Sequence, residues 1–160
     1  MRGAFAGSRH RAWLMAASAV LALAGCASVP HASLERDAEA KRFLARPSAA
    51  TLYVYRPDFV APRGDESVLY VDNRLIGATL PGAYFRIELR AGPHLLQGYA
   101  YDQGRLKVEP RYGEIVFVSL NVLGGISLFE VVAPEDAKRA IARCCVLLEN
   151  WTPGQRPLLR

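Results

Sequence analysis

Tyr84-Phe85-Arg86-Ile87-Glu88-Leu89 alternates with a period of two, Phe85, Ile87 and Leu89 falling on one face and Tyr84, Arg86 and Glu88 on the other. That period describes a strand with one face in a core. The apolar trio is therefore expected inside, and Tyr84, Arg86 and Glu88 outward or toward an edge. Residues 51–56 repeat the pattern, with Leu52 and Val54 against Tyr53 and Tyr55. Further strand segments follow at 67–71, 75–79, 94–101, 105–109, 114–122 and 126–132, each bounded by Gly, Pro, Asn or Asp. Residues 115–122 are apolar at nearly every position, which predicts a central strand covered on both faces. Asp72-Asn73 and Gln103-Gly104 carry the residues that tight hairpins require, and Pro81-Gly82 suits a type II turn. Gly124-Gly125 reads as a turn between two apolar strands in preference to a point of close backbone approach.

Many short strands in this order predict a mainly β fold, an antiparallel β-sandwich of about eight strands, with a partly open barrel as its near relative. A helix is expected at each end. Upstream, Ser33 is the expected N-cap, Glu35 and Asp37 fall in the first turn, Lys41 and Arg42 follow, and Pro47 stops the helix. Leu34, Ala38 and the Phe43-Leu44 pair make only a partial apolar stripe, so this helix should rest loosely on the domain or stand exposed. Downstream, Pro134-Glu135-Asp136 opens a helix that runs to about Cys145, with Lys138, Arg139 and Arg143 toward its end. The organisation is thus a leader at 1–25, an N-terminal tether and helix at 26–50, a β-sandwich with its helix at 51–149, and an extended or mobile tail at 150–160.

The leader decides the expected location. Arg2, Arg9 and Arg11 precede the apolar stretch 12–24, which is shorter than the roughly 20 residues that a spanning helix needs. It ends in Leu23-Ala24-Gly25-Cys26. These four residues resemble the bacterial lipoprotein box, which implies cleavage before Cys26 and a diacylglycerol on its thiol. Ala27 and Ser28 lack the Asp that favours inner-membrane retention in lipoproteins of the enteric type, so the expected place is the outer membrane, facing the periplasm. Beyond the leader, seventeen basic residues face fifteen acidic ones, a net +2 against +5 for the whole chain. No basic stripe with interleaved aromatics remains, and nucleic acid is not an expected partner.

At Ala38-Glu39-Ala40-Lys41-Arg42-Phe43 and Ala50-Thr51-Leu52-Tyr53-Val54-Tyr55-Arg56-Pro57 the chain resembles a family of small bacterial lipoproteins built on a domain of unknown function. Leu69-Tyr70-Val71-Asp72-Asn73-Arg74-Leu75-Ile76-Gly77, with Leu89-Arg90-Ala91-Gly92-Pro93-His94, is similar to the PEGA-type β module of bacterial surface proteins, although Asn73 stands where a glycine is usual. The resemblance implies an envelope β-sandwich. It supplies no reaction, cofactor or catalytic residue.

The residues themselves carry no nucleophile elbow, His-Glu-x-x-His, Cys-x-x-Cys or phosphate loop. No catalytic residue, cofactor or metal is assigned, and the expected function is a non-enzymatic structural or interaction module held to the membrane by lipid on Cys26. His94, in a Gly-Pro-His turn, reads as structural. Cys144 and Cys145 read first as two partly buried free thiols, because neighbouring Cα atoms about 3.8 Å apart are closer than an ordinary bridge prefers, with a vicinal disulfide or an intermolecular bridge as the alternatives in an oxidising periplasm. The loop 57–67 sets Phe59, Val60 and Pro62 among Arg56, Asp58, Arg63 and Asp65; it reads either as a loop folded back to cap the sandwich or as a binding loop, in which Phe59 with Arg63 are the candidate anchors for an envelope protein or glycan. Two alternatives stand beside this reading. One is an envelope hydrolase using Asp58, Asp65 or Glu66; the other is a glycan-binding module presenting Tyr84, Tyr99 or Tyr101 on one face.

Overall fold

The computed structural model describes residues 31–58, 67–98 and 104–150. Nine strands and two helices follow in the order α1 (Leu34–Ala40), β1 (Ala50–Arg56), β2 (Ser67–Val71), β3 (Arg74–Thr79), β4 (Ala83–Leu89), β5 (His94–Gln97), β6 (Arg105–Val108), β7 (Ile115–Leu123), β8 (Ile126–Val131), α2 (Pro134–Cys144) and β9 (Val146–Leu147). They form a five-stranded sheet, β8-β7-β1-β4-β9, and a four-stranded sheet, β3-β2-β5-β6.

The mainly β sandwich is as expected, but its larger sheet is mixed. β1 pairs antiparallel with β4 and parallel with β7, and β4 pairs parallel with β9. The centre of the sheet is β1, not β7. Register explains how one strand serves two cores: Leu52 lies between Ile87 and Val116, and Val54 between Phe85 and Val118. These rows face the four-stranded sheet, where Leu69, Val71, Ile76 and Leu96 complete a continuous apolar core. The intervening rows, Phe117-Tyr53-Arg86 and Ser119-Tyr55-Tyr84, face the other way and lie beneath the helices.

Here the expectation for the second face of β4 fails. Tyr84 is only 1% exposed, and Arg86 and Glu88 are half-buried. Ala40, Ala137 and Ile141 of the helices close over Tyr53, Tyr55, Tyr84 and Phe117 to make a second core. Within it the Phe43, Tyr53, Tyr84 and Phe117 rings stand 5.2–5.9 Å apart in stacked and tilted pairs, spacings at which aromatic contacts add to burial. The molecule is therefore a sandwich with a helical layer laid over one outer face.

Turn chemistry follows the sequence at Asp72-Asn73, Pro81-Gly82 and Gly124-Gly125, while Gln103 of the expected Gln103-Gly104 turn lies outside the described residues. Asp72 and Asn73 adopt φ of 51° and 60°, and Gly124 and Gly125 adopt 58° and 77°, the left-handed pair of a two-residue hairpin. Gly82, at φ 70°, donates to the Arg56 carbonyl at 2.9 Å and accepts from Val146 at 3.0 Å. A Cβ there would meet the Cys144 carbonyl oxygen at 3.4 Å, so this turn both reverses the chain and carries β9. Helix α1 is shorter than Pro47 would make it. It ends at Ala40, and Phe43 takes a positive φ of 50°, turning its ring under the helix layer.

Cys144 and Cys145 are joined in a vicinal disulfide, with Cα atoms 3.7 Å apart. The expectation of free thiols is corrected. Backbone changes from helical at Cys144 to extended at Cys145, φ −122° and ψ 144°, and this switch between neighbours brings the sulfurs together.

Phe85→Ala should cost about 3–5 kcal/mol of unfolding free energy by opening a cavity between the sheets. Leu128→Ala, on an exposed position of β8, should change it by no more than about 0.5 kcal/mol. Urea titrations of the two variants check the contrast; equal losses would mean that the core is not where the register puts it.

Candidate functional site

Helix α1 is fixed by one carboxylate. Ser33 caps it, its Oγ accepting the Arg36 N–H at 3.3 Å, and this sets Asp37 on the side facing the sheet edge. Asp37 Oδ1 accepts the Leu147 N–H at 2.8 Å and the Tyr84 O–H at 3.0 Å, while Oδ2 accepts Lys41 Nζ at 2.7 Å. Tyr53 O–H donates to the Ala40 carbonyl at 2.6 Å. The helix thus does not rest loosely; hydrogen bonds tie it to both β4 and β9. Burial alone would raise the Asp37 carboxyl, but the bonds from Lys41, Leu147 and Tyr84 and the Lys41 charge outweigh it and hold the pKa below 3.8. For Tyr84, burial and then the neighbouring Asp37 charge push the phenol far up, so it remains a donor.

Beside this node a cleft of about 410 Å³ opens between α1 and β9, lined by Glu35, Arg36, Glu39, Arg46, Arg86 and Glu149 among others. Most of its charges answer one another. Arg36 pairs with Glu149, Glu39 with Arg42, and Arg46 and Arg86 converge on Glu88 at 3.0 and 3.3 Å. Such a cleft stabilises the junction of helix and sheet, and its internal neutralisation leaves little field for a charged ligand.

The more open surface lies at the other edge. β7 pairs with β1 only as far as Ser119, so Asn121 to Leu123 and their β8 partners project beyond it as a hairpin. On the helix-side face of that hairpin Leu123, Ile126 and Leu128 are 71%, 45% and 48% exposed. Glu130 follows on the same face. Burial first, then the charges of Glu130 and Asp136, raise the pKa of the nearby Tyr55. Glu130 forms no ion pair among the described residues.

Of the residues singled out by sequence, Tyr84 is withdrawn from any ligand by burial. Asp58 is exposed and approaches the Gly82 turn. His94 is engaged by both ring nitrogens, with Asp72 Oδ2 at 2.6 Å and the Arg90 carbonyl at 2.9 Å, while Asp72 Oδ1 accepts the Leu95 N–H. That network braces two turns. Cys26, Phe59, Arg63, Asp65, Glu66, Tyr99 and Tyr101 lie outside the described residues. Among the described residues no three His, Cys, Asp or Glu side chains gather as a metal site. The hairpin face was legible only indirectly, in Leu-Gly-Gly-Ile joining two strands with apolar residues on both faces.

Comparison with known proteins finds a relative. An uncharacterized protein of Haemophilus influenzae is 30% identical over an alignment of 129 residues, which takes in 77% of this chain and 76% of the relative. The chain belongs to that protein's family. No family model matches it, and no solved structure does. Family membership of this extent covers most of the sandwich and assigns no activity.

Asp37 should leave a signature in acid. A carboxyl whose folded pKa lies below its unfolded 3.8 contributes stability that is complete above that value and is lost as pH falls through the folded pKa. Asp37→Asn should therefore be less stable than the parent chain near neutral pH and lose less of its stability on acidification. Urea titrations from about pH 6 to about pH 2 read this directly; parallel curves would assign the acid sensitivity to other groups.

Proposed function

We propose that the protein is an envelope lipoprotein, acylated at Cys26 and held at the outer membrane facing the periplasm, whose β domain is a non-enzymatic structural or interaction module. The observation that carries the anchoring is Leu23-Ala24-Gly25-Cys26 at the end of a basic and then apolar leader. The resemblance to small bacterial lipoproteins and to PEGA-type β segments supports the same reading. Four residues separate Cys26 from His31, a reach over five residue steps of at most about 18 Å, and His31 bridges to Leu148 at the β9 edge. Acyl chains on Cys26 would then hold the β9 edge near the bilayer and leave the β8 hairpin at the opposite edge of the sheet. An interaction role is supported by that hairpin, which carries three exposed apolar side chains on one face.

Metabolic labelling with a fatty acid tests the anchor. The parent chain should carry label and sediment with membranes, because two or three acyl chains at about 0.8 kcal/mol per buried CH₂ bind almost irreversibly. Cys26→Ser should be unlabelled and released or mislocalised; label retained by that variant, or absent from the parent, refutes the proposal.

A further inference from the structure

The two edges of the larger sheet differ in a way that identifies a docking strand. β9 is two residues long, and its neighbourhood is covered: Ala32 N–H donates to the Leu147 carbonyl at 2.9 Å, His31 bridges to Leu148, and Asp37 takes the Leu147 N–H. β8 is six residues long, contains no Pro, Lys or Arg, and pairs with β7 without a register shift; among the described residues β6 of the other sheet comes close to it, but no second strand is hydrogen-bonded to it. Open edges of this kind are ordinarily blunted by charge, proline or a bulge. Val132 N–H donates to the Phe117 carbonyl at 2.9 Å. Alternation then makes Glu130 with Ser119 and Leu128 with Asn121 the hydrogen-bonded pairs, and turns the peptide groups of Phe129 and Val131 away from β7.

The side chains above this edge define what would pair with it. Ile126, Leu128 and Glu130 are alternate residues on one face, the first two exposed and apolar, the third an acid with no ion pair among the described residues. Residues 115–132 hold no Lys or Arg to answer Glu130, whereas Asp136 of the neighbouring helix is paired with Arg139. A second copy of β8 would bring another Glu130 and no cation, and an anionic membrane would meet the same unanswered carboxylate. We propose that β8 receives, by strand addition, an extended segment of another protein with apolar side chains over Ile126 and Leu128 and a Lys or Arg beside Glu130. Main-chain bonds at Phe129 and Val131 would supply affinity and the alternate side chains specificity. This deepens the interaction role proposed above and rests on it, but not on acylation.

The probes are two synthetic peptides, Thr-Leu-Thr-Leu-Thr-Lys-Thr and its reverse, to allow either strand direction, each with a counterpart bearing Glu in place of Lys. Added to the full-length chain in neutral detergent, one Lys peptide should bind about tenfold tighter than its Glu counterpart. It should slow amide exchange at Phe129 and Val131. Glu130→Lys should reverse the preference, and Leu128→Asp should abolish binding while β7 amides keep their protection, showing that the hairpin is still folded. Absence of binding to either Lys peptide, or binding indifferent to the sign of charge, overturns the proposal. So does protection of Phe129 and Val131 that appears with protein concentration alone, which would mean a second copy, or with anionic vesicles alone, which would mean a lipid surface. Fatty-acid labelling of Cys26 reads independently of all these outcomes.

Discussion

Every residue of β1 is buried, and the rest of the molecule is arranged to make that possible. A strand in that position needs partners for its peptide groups on both sides and cover for its side chains on both faces. β4 and β7 supply the first, one antiparallel and one parallel. The second comes from two different materials: another sheet over Leu52 and Val54, and helices over Tyr53 and Tyr55. The asymmetry has a chemical reason. Aliphatic side chains pack against a sheet without further condition, whereas buried phenols need acceptors, and the helix layer provides one in the Ala40 carbonyl for Tyr53.

The same logic governs the junction of α1 with the sheet edge. A seven-residue helix is too short to be stable alone. What fixes it is Asp37, which joins a side chain of its own helix, a phenol of β4 and a backbone donor of β9. Because the carboxylate accepts three donors, one of them a cation, its partial burial is tolerated. The nearby cleft inherits its paired charges from this arrangement, which is why it looks like a buttress and the bare β8 hairpin looks like a contact surface.

Eight of the strands were legible in the sequence because alternation and turn residues are local signals. Asp72-Asn73 and Gly124-Gly125 marked their hairpins correctly, and Ser33 capped its helix. Period two reports that a strand has two faces; it does not report which neighbours it takes, so the parallel pairing of β1 with β7 was invisible. Tyr84 was misjudged because a tyrosine alternating with Arg and Glu resembles a wet face, and only the helices overhead make it a core residue. β9, at two residues, has no period to detect, and the bridge between Cys144 and Cys145 depends on a backbone switch at one peptide. For the candidate surface, the apolar hairpin could be read as strand but not as uncovered strand, since exposure is a property of what else folds over it.

The parallel partnership of β1 with β7 also bears on time. Leu52 meets Val116, sixty-four positions further along the chain, and the loop between them must be closed before either strand gains the contact. Folds dominated by such remote pairings assemble over milliseconds to seconds, not microseconds. Until β7 arrives, Leu52-Tyr53-Val54-Tyr55 has no lid on one side, and it combines high strand propensity with no charge, the composition that seeds aggregation. The strand that organises the finished protein is thus its most vulnerable segment while the chain is still assembling, and the Arg56-Pro57 step immediately after it is the nearest sequence feature that would interrupt wrong pairing.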